Sequence, residues 1–358
     1  MLICTSARRT PDFLLEKAGS VHPTDTSPPK INTMTLAKDT DSVALPSIEQ
    51  TQSWLEKLRE NLRQVIKGKD DVIEHAILAL ICGESMLIED VPGVGKTTLA
   101  KSLAASVHLD FQRVQCTPDL LPADIFGFSV FNPQDGSFQF RPGPIFCNIL
   151  LVDEINRASP RTQSALLEAM AERQVTIEGN VHKLAPPFLV LATQNPVGYQ
   201  GTFPLPESQL DRFLLQVSMD YPDTESEIDI LYNQNTRHPA DAITPVLSKE
   251  EVLQCQAKVR QIRVDRSIAD YILQIAVATR TDERLQLGCS PRGSLKLFRA
   301  AQGLALLAGR SYVLPDDVQH IAPHVLQHRI VVTRSHSSKQ AHQSEIIKEL
   351  IDQVTVPV

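Results

Sequence analysis

The sequence has no uninterrupted apolar run near the roughly 20 residues that a membrane-spanning helix needs. The chain begins Met-Leu-Ile-Cys, but Arg8, Arg9 and Asp12 follow too early for the apolar centre of a signal peptide. None of the six cysteines forms a Cys-x-x-Cys pair, which favours buried reduced thiols over a disulfide framework or a zinc site. We therefore expect a cytoplasmic protein without a membrane span.

An excess of positive charge is also missing. Lys and Arg number 35 against 42 Asp and Glu, so the formal net charge is −7. Dedicated nucleic-acid binders usually carry a basic face, so no nucleic-acid partner is expected, although an acidic total can include a local basic loop. With 42% hydrophobic and 22% charged residues, the composition is that of a globular protein, and 358 residues predict two or three structural units.

Residues 1–47 differ from the rest of the chain. They contain Pro11, Pro23, Pro28, Pro29 and Pro46 among many Ser, Thr and Asp residues, without sustained hydrophobic periodicity. This composition predicts a disordered extension, and a second methionine inside it offers an alternative start of the chain.

Residues 48–221 alternate strand and helix patterns, which predicts an α/β domain with a mostly parallel five-stranded sheet and helices on both faces. The strand candidates are Met86–Glu89, Arg113–Gln115, Ile149–Asp153, Phe188–Thr193 and Phe213–Val217. The helix candidates in this region include Asp70–Ile81, Thr97–Val107 and Pro160–Glu172.

The strand signal ends after Tyr221-Pro222. The helix candidates that follow are Thr224–Asn235, Lys249–Arg260, Ser267–Arg280, Pro291–Ala308 and Pro315–Gln327. We expect a small all-α domain over residues 222–335 and a helical C-terminal tail over residues 336–358.

A glycine-rich loop, Asp90-Val-Pro-Gly-Val-Gly-Lys-Thr-Thr98, connects the first strand candidate to a helix. Gly93 and Gly95 permit backbone angles at which successive N–H groups point at phosphate oxygens. The helix that follows adds its positive N-terminal end. The loop therefore predicts a phosphate-binding site.

Two side chains of this loop have predicted roles. Lys96 would reach the β- and γ-phosphates, and the Thr97 hydroxyl would be a ligand of Mg²⁺. The strict motif has Gly where this chain has Asp90, and the alternative interpretation is a Gly/Pro turn that happens to precede a helix.

Two carboxylates lie at the carboxyl end of the strand candidate Ile149–Asp153, those of Asp153 and of Glu154, which follows it. Asp153 is predicted to bind Mg²⁺, directly or through water, and Glu154 to activate a water that faces the γ-phosphate. By itself this pattern also fits an acidic loop, but its place after a phosphate-binding loop favours the catalytic interpretation.

Amide and guanidinium side chains complete the candidate set. Asn195 ends an apolar strand and could orient the attacking water, or simply form a turn before Pro196. Arg212 has the fixed charge and planar donors that stabilise a phosphoryl transition state, unless it only pairs with Asp211 at the surface. Arg292 follows a helix start and would point at the nucleotide, or be an ordinary exposed basic residue.

Taken together, six segments closely resemble the MoxR family of AAA+ ATPases in sequence, order and spacing. They are Glu89–Thr97, Asp153–Ala158, Gln163–Met170, Ala192–Pro196, Leu210–Phe213 and Ser290–Gly293. The resemblance extends from about Leu55 to about Thr333, and Asp90 is common in this family. It implies an AAA+ P-loop NTPase core followed by an all-α lid domain.

The resemblance also implies a role for each matching residue. Lys96 and Thr97 resemble the Walker A pair, and Asp153 and Glu154 the Walker B pair. The implied nucleotide contacts are Val65, Ile66 and Gly68 around adenine, and Pro92, Gly93, Val94, Gly95, Lys96, Thr97 and Thr98 around the phosphates.

Three further roles follow from the same resemblance. Asn195 resembles sensor 1, Arg292 resembles sensor 2, and Arg212 resembles an arginine finger that acts on ATP bound by the neighbouring subunit. Such a shared site implies self-association into a ring, usually a hexamer in this family, with ATP and Mg²⁺ as cofactors.

Two segments are predicted to form β-hairpins. One is Phe126–Phe140, with a turn at Asn132–Gly136, and it would interrupt the second helix of the core. The other is Arg173–His182, with a turn at Glu178–Asn180. In related proteins such hairpins push on a client through the ring, and a purely structural ribbon is the alternative.

The leading functional hypothesis is an ATPase that remodels or activates a protein complex, as MoxR-like chaperones do, often with a partner that carries a von Willebrand factor A domain. One alternative is a DNA-linked motor or loader with the same core, which the neutral or acidic hairpin tips disfavour. The other is a nucleotide-binding scaffold without turnover, which the presence of Glu154 disfavours.

Overall fold

A computed structural model of the protein describes residues 45–89, 93–134, 136–195, 202–225, 227–228, 243–333 and 340–357. The extension predicted over residues 1–47 lies, up to residue 44, outside the described residues. So does most of the helix predicted for Thr224–Asn235.

Eleven α-helices lie within the described residues. They are α1 (Ile48–Arg63), α2 (Asp70–Cys82), α3 (Lys96–Ser106), α4 (Pro122–Phe126), α5 (Pro160–Glu172), α6 (Glu207–Leu210), α7 (Lys249–Val259), α8 (Arg266–Thr281), α9 (Pro291–Leu307), α10 (Pro315–Leu326) and α11 (Gln340–Gln353). No helix among these described residues is long and apolar enough to cross a membrane.

The strands follow the same order. They are β1 (Met86–Glu89), β2 (Phe111–Gln115), β3 (Gly127–Asn132), β4 (Ser137–Pro142), β5 (Ile149–Asp153), β6 (Gln174–Ile177), β7 (Asn180–Lys183), β8 (Leu189–Gln194), β9 (Leu215–Val217), β10 (Leu285–Leu287) and β11 (Val331–Val332).

Five strands form the central sheet in the order β2-β5-β8-β1-β9, and every neighbouring pair is parallel. The predicted five-stranded parallel sheet is confirmed. The inner strands β1 and β5 are buried along their whole length, as expected for a parallel sheet covered on both faces.

Alternating side chains divide this sheet between two hydrophobic cores. Met86, Ile88 and Leu151 point into the core that includes α1, α2, α3 and the helices after residue 243. Leu87 and Val152 point into the second core, which includes α5. Because successive strand residues face opposite sides, one apolar run supplies both cores, and the predicted helices on both faces are confirmed.

The strand register aligns one edge of the sheet. Gln115 at the end of β2 lies opposite Asp153 at the end of β5, and Glu89 at the end of β1 lies opposite Gln194 of β8. The carboxyl ends of four strands therefore meet at the edge where the sequence places the candidate site residues.

Both predicted hairpins are present, as β3–β4 and β6–β7. Glu178 and Gly179 form the second turn with positive φ values of 50° and 81°, which suits a two-residue hairpin loop. The first hairpin does not interrupt a helix, contrary to the prediction. It follows the short helix α4, and the chain then runs directly into β5 without a further helix.

The helices from α7 to α10 form the predicted helical lid, and α11 lies within the predicted C-terminal tail. A short antiparallel pair, β10 with β11, adds to the lid and was not predicted, because strands of three and two residues carry no readable alternation. The exact limits expected for the lid and the C-terminal tail stay predictions.

Two glycines lie against each other at the base of the first hairpin. A Cβ atom on Gly127, whose φ is 91°, would lie 2.1 Å from the Arg141 carbonyl oxygen. A Cβ atom on Gly143 would lie 2.3 Å from the Ile125 carbonyl oxygen. Only glycine permits this close approach of backbone to backbone.

We expect Gly127→Ala to destabilise the protein by about 1–3 kcal/mol more than Gly136→Ala, since overlap with a fixed backbone adds to the strain of a positive φ. Gly136 is the matched control, because it has a φ of 70° but its Cβ would meet no atom within 4 Å in the described part of the chain. Thermal midpoints and hydrogen exchange over residues 127–142 measure the difference. Equal effects of the two substitutions would contradict the steric explanation.

Candidate functional site

The phosphate loop is described from Gly93 onward, so Asp90 and Pro92 lie outside the described residues. Gly93 and Gly95 have φ values of 93° and 99°, which side chains rarely tolerate. A Cβ atom on Gly93 would meet no atom of the described residues within 4 Å.

The helix α3 begins directly after Gly95 and has no side-chain cap. The first N–H groups of such a helix need an acceptor from outside, and a phosphate supplies both oxygen acceptors and negative charge. Lys96 is buried, while Thr97 and Thr98 are half-buried at the same end of the helix. The loop therefore fits an anionic ligand.

The three residues predicted around adenine lie at the end of α1. Ile66 is buried and Val65 packs partly against the same core, which also contains Met219 and, at its margin, Val94 of the loop. Gly68 is exposed and has a φ of 65°. The structure thus brings these apolar residues into one cluster with the phosphate loop, and their contact with adenine stays a prediction.

Asp153 is buried at the carboxyl end of β5. Its Oδ1 accepts a hydrogen bond from Thr193 Oγ1 at 3.1 Å, and its Oδ2 accepts one from Arg113 Nε at 2.6 Å. A carboxylate offers about four acceptor sites, so Asp153 keeps capacity for Mg²⁺ or for a water bound to it. The carboxylate of Asp153 and the hydroxyl of Thr97 are oxygen donors of the kind that Mg²⁺ prefers, and their binding of this ion stays a prediction.

Glu154 has a positive φ of 54°, a conformation uncommon for a residue with a side chain. Its backbone N–H donates to Thr193 Oγ1 at 2.9 Å, so one threonine hydroxyl contacts both neighbouring acidic residues. The carboxylate accepts hydrogen bonds from Asn195 at 3.2 Å, from Gln115 at 3.0 Å and from Arg157 at 2.9 Å.

These contacts set the ionisation of Glu154. Burial raises the pKa of the carboxyl, but the hydrogen bonds from Arg157 and Asn195 and the charges of Arg157 and Lys96 outweigh burial and lower the pKa below its ordinary value. The carboxylate is therefore ionised at neutral pH, as a group that accepts a proton must be.

Asn195 lies beside Glu154, as the sequence predicted. Its own carbonyl oxygen accepts a hydrogen bond from Asn156 Nδ2 at 3.1 Å, which fixes the backbone just after β8. A carboxylate and an amide held this close together can orient one water between them, and that role stays a prediction.

Arg212 lies elsewhere. Its Nη1 donates to the Leu167 carbonyl oxygen of α5 at 2.8 Å, and its buried Nε has no hydrogen-bond partner in the described part of the chain. The structure therefore does not place this guanidinium with Lys96 and Glu154 of the same subunit, which is compatible with an action on another subunit.

Arg292 is the second residue of α9, and its side chain is 53% exposed. Its Nη1 lies 3.9 Å from Asp211 Oδ2. Ser290 caps the helix by accepting a hydrogen bond from the Gly293 N–H at 3.0 Å. The contact with a nucleotide that the sequence suggests for Arg292 stays a prediction.

Several partners of the two carboxylates were not singled out from the sequence. Gln115 could have been found as the polar residue that ends a neighbouring strand. Arg157 follows Glu154 by three residues, a spacing that suits an ion pair across one turn. Arg113 and Thr193 give no such signal, because only the strand register brings them to Asp153.

We expect Arg157→Ala to raise the pKa of the Glu154 carboxyl, since it removes a hydrogen bond and a positive charge. Selective ¹³C labelling of glutamate carboxyls measures the titration, and the resonance is assigned by its loss in Glu154→Gln. Arg161→Ala is the control, because it removes the same charge from an exposed position on α5. An unchanged or lower pKa in Arg157→Ala would refute the arrangement.

Family models match both parts of the chain. The ATPase family associated with various cellular activities (AAA) matches residues 85–215, and the AAA lid domain matches residues 277–350. A crystal structure of a proposed ATPase from Cytophaga hutchinsonii superposes with a TM-score of 0.79 at 33% identity, over 87% of this chain and 97% of that one.

Two curated relatives cover most of the chain. The uncharacterized protein YeaC of Bacillus subtilis is 47% identical over 310 residues, which are 87% of this chain and 97% of YeaC. Chaperone MoxR1 of Mycobacterium tuberculosis is 38% identical over 312 residues, which are 85% of this chain and 82% of MoxR1. Since both family models match and MoxR1 is 38% identical over most of the chain, the chain belongs to the MoxR family of AAA ATPases.

Proposed function

We propose that this AAA ATPase works as a ring in which ATP hydrolysis remodels or activates a protein complex. The observation that carries the proposal is that the candidate residues lie in two different places of one subunit. Lys96, Glu154 and Asn195 lie together, whereas Arg212 points at α5 of its own subunit. The arginine that stabilises the transition state would then come from a neighbouring subunit of the ring.

The residues divide the chemistry as follows. The phosphate loop and Lys96 would bind the phosphates of ATP, and Thr97 and Asp153 would hold Mg²⁺, which would supply positive charge to neutralise those phosphates. Glu154 accepts a proton from the attacking water, while Asn195 orients that water. Contacts of this kind raise the rate mainly by positioning and charge stabilisation.

A role on protein clients has support from the first hairpin. Phe128, Phe131 and Phe138 are 54%, 52% and 72% exposed on β3 and β4, and the rings of Phe131 and Phe138 contact each other. Exposed aromatic side chains suit apolar segments of a polypeptide. Residues 132–137 at the tip include no Lys or Arg, which argues against the alternative of a DNA-linked motor.

The relatives support the chaperone part of the proposal. MoxR1 of Mycobacterium tuberculosis is named a chaperone, and this chain spans 82% of it. A partner with a von Willebrand factor A domain and a cytoplasmic location belong to the same proposal. Affinity purification of Glu154→Gln in ATP, against the same protein without nucleotide, tests it, and recovery of no protein with such a domain would count against that partner.

We expect Glu154→Gln to lower ATP turnover by about 10²–10⁴-fold, because it removes the proton acceptor while keeping the size of the side chain. Binding of a fluorescent ATP analogue is expected to persist. Phosphate release and fluorescence titration measure the two properties, with Glu172→Gln on the exposed surface of α5 as control. Turnover at the wild-type rate in Glu154→Gln would overturn the assigned mechanism.

We expect Arg212→Ala alone to lose at least about 10³-fold in turnover, as removal of an arginine finger does. Mixing it with Glu154→Gln is expected to restore part of the activity. In mixed rings the Glu154→Gln subunit supplies Arg212 to a neighbour whose Glu154 is intact. Phosphate release from the mixture measures this, with native mass spectrometry to confirm mixed assembly. Mixed rings without recovered activity would exclude a shared site.

A further inference from the structure

The two side chains assigned to the attacking water lie beyond the part of their strands that pairs regularly. Pairing of β5 with β8 ends where Val152 lies opposite Ala192. Glu154 and Asn195 follow these positions, and Glu154 has a positive φ of 54°. The hydrogen bonds between β5 and β8 therefore do not by themselves fix Glu154 relative to Asn195, and other contacts must do so.

Asn156 supplies one of these contacts. It is the middle residue of the 3₁₀-helical turn Ile155–Arg157, which begins directly after Glu154, and it is only 5% exposed. Its Nδ2 donates a hydrogen bond to the Asn195 carbonyl oxygen at 3.1 Å. The main chain at Asn195 is thus bound to a side chain that lies only two residues after Glu154.

A second contact joins the same two segments in the opposite direction. The Glu154 N–H donates to Thr193 Oγ1 at 2.9 Å, and Thr193 lies two residues before Asn195. The segments that follow β5 and end β8 are therefore joined at two points, through Thr193 and through Asn156. Between these points, Asn195 Nδ2 donates to Glu154 Oε1 at 3.2 Å.

Asn156 is itself held in place by residues around it. Its backbone carbonyl oxygen accepts a hydrogen bond from the Phe203 N–H. Gln163 of α5 is 1% exposed and contacts the same turn. Its Nε2 donates to the carbonyl oxygens of Ile155 and Ala158 at 3.2 Å, and of Phe203 at 3.0 Å. One buried amide thus holds the turn on both sides of Asn156, which limits the positions that the Asn156 side chain can adopt.

The other polar atom of the Asn156 side chain indicates why an asparagine is present here. Asn156 Oδ1 is buried and has no hydrogen-bond partner within the part of the chain that the structure describes. A buried polar atom without a partner costs free energy, so packing alone would favour an apolar side chain. What an apolar residue could not supply is the Nδ2 donor that contacts Asn195.

We propose that Asn156 is a positioning residue for ATP hydrolysis, which holds Asn195 at the distance from Glu154 that the attacking water requires. In this role Asn156 touches neither ATP nor the water, and it acts only through the main chain of Asn195. The inference rests on the proposed function, since it requires that Asn195 orients the water. Misplacement of a reacting group by about 1 Å can lower a rate about 100-fold.

The test compares Asn156→Ala, Asn195→Ala and the double variant in the full-length protein. We expect Asn156→Ala to lower kcat about 10- to 100-fold and to change KM for ATP less than about twofold, because the phosphate loop is unaltered. In Asn195→Ala the carbonyl oxygen that Asn156 contacts is still present, but the side chain that it positions is gone. In that background Asn156→Ala should lower kcat no further, while the thermal midpoint still falls.

Asn148→Ala is the matched control. Asn148 is also 5% exposed, and its Nδ2 donates to the Pro187 carbonyl oxygen at 2.8 Å. This contact joins the same two strands at their amino ends, because Asn148 directly precedes β5 and Pro187 precedes β8. We expect Asn148→Ala to lower the thermal midpoint about as much as Asn156→Ala does, but to leave kcat unchanged.

A second variant, Asn156→Ser, covers the case in which Asn156→Ala does not fold. Serine keeps a polar group in the turn, but its hydroxyl is one bond too short to replace the Nδ2 donor to the Asn195 carbonyl oxygen. We expect the same fall in kcat and the same absence of a further fall in the Asn195→Ala background.

The outcomes distinguish this inference from the proposed function. If Asn195→Ala by itself leaves kcat unchanged, the proposed role of Asn195 fails and the positioning role fails with it. If Asn195→Ala lowers kcat but Asn156→Ala has no effect, or has the same effect in both backgrounds, the role of Asn195 stands and the inference is overturned. An equal fall in kcat for Asn148→Ala would also overturn it, because the cause would then be general damage to the sheet.

Discussion

The register of the parallel sheet is the constraint on which the rest of this structure depends. Backbone hydrogen bonds place Gln115 opposite Asp153 and Glu89 opposite Gln194, so four strands end at one edge. A shift by one residue would turn every buried side chain to the opposite face of its strand. The two cores therefore hold the register, and the register in turn holds the candidate site.

At that edge, a small set of hydrogen bonds orients the carboxylates of the candidate site. The Thr193 hydroxyl contacts both Asp153 and Glu154. Arg113 of β2 donates a hydrogen bond to Asp153, and Arg157, in the turn after β5, donates one to Glu154. Asp211 and Arg329 repeat the pattern at the junction with the lid. In each place a carboxylate is oriented by fixed donors, which limits its rotamers.

Much of this architecture could be predicted from the sequence because its signals are local. The helix predicted for Pro160–Glu172 has those same limits in the structure, and the Glu178–Gly179 turn lies where the hairpin pattern required it. Sequence patterns do not predict strands that are too short to show a period, such as β10 and β11. They also failed at the first hairpin, where no local pattern says whether a helix resumes before β5.

The sequence by itself determined the resemblance to the family, the order of the five sheet strands along the chain, and the residue types at the candidate site. Those properties follow from spacing along the chain, such as glycines before a lysine and apolar runs before acids. Only the tertiary structure decided which side chains meet. It brought Gln115 to Glu154 and Arg329 to Asp211, and it turned Arg212 toward α5. Contacts between residues far apart in sequence depend on register and packing, which no short segment encodes alone.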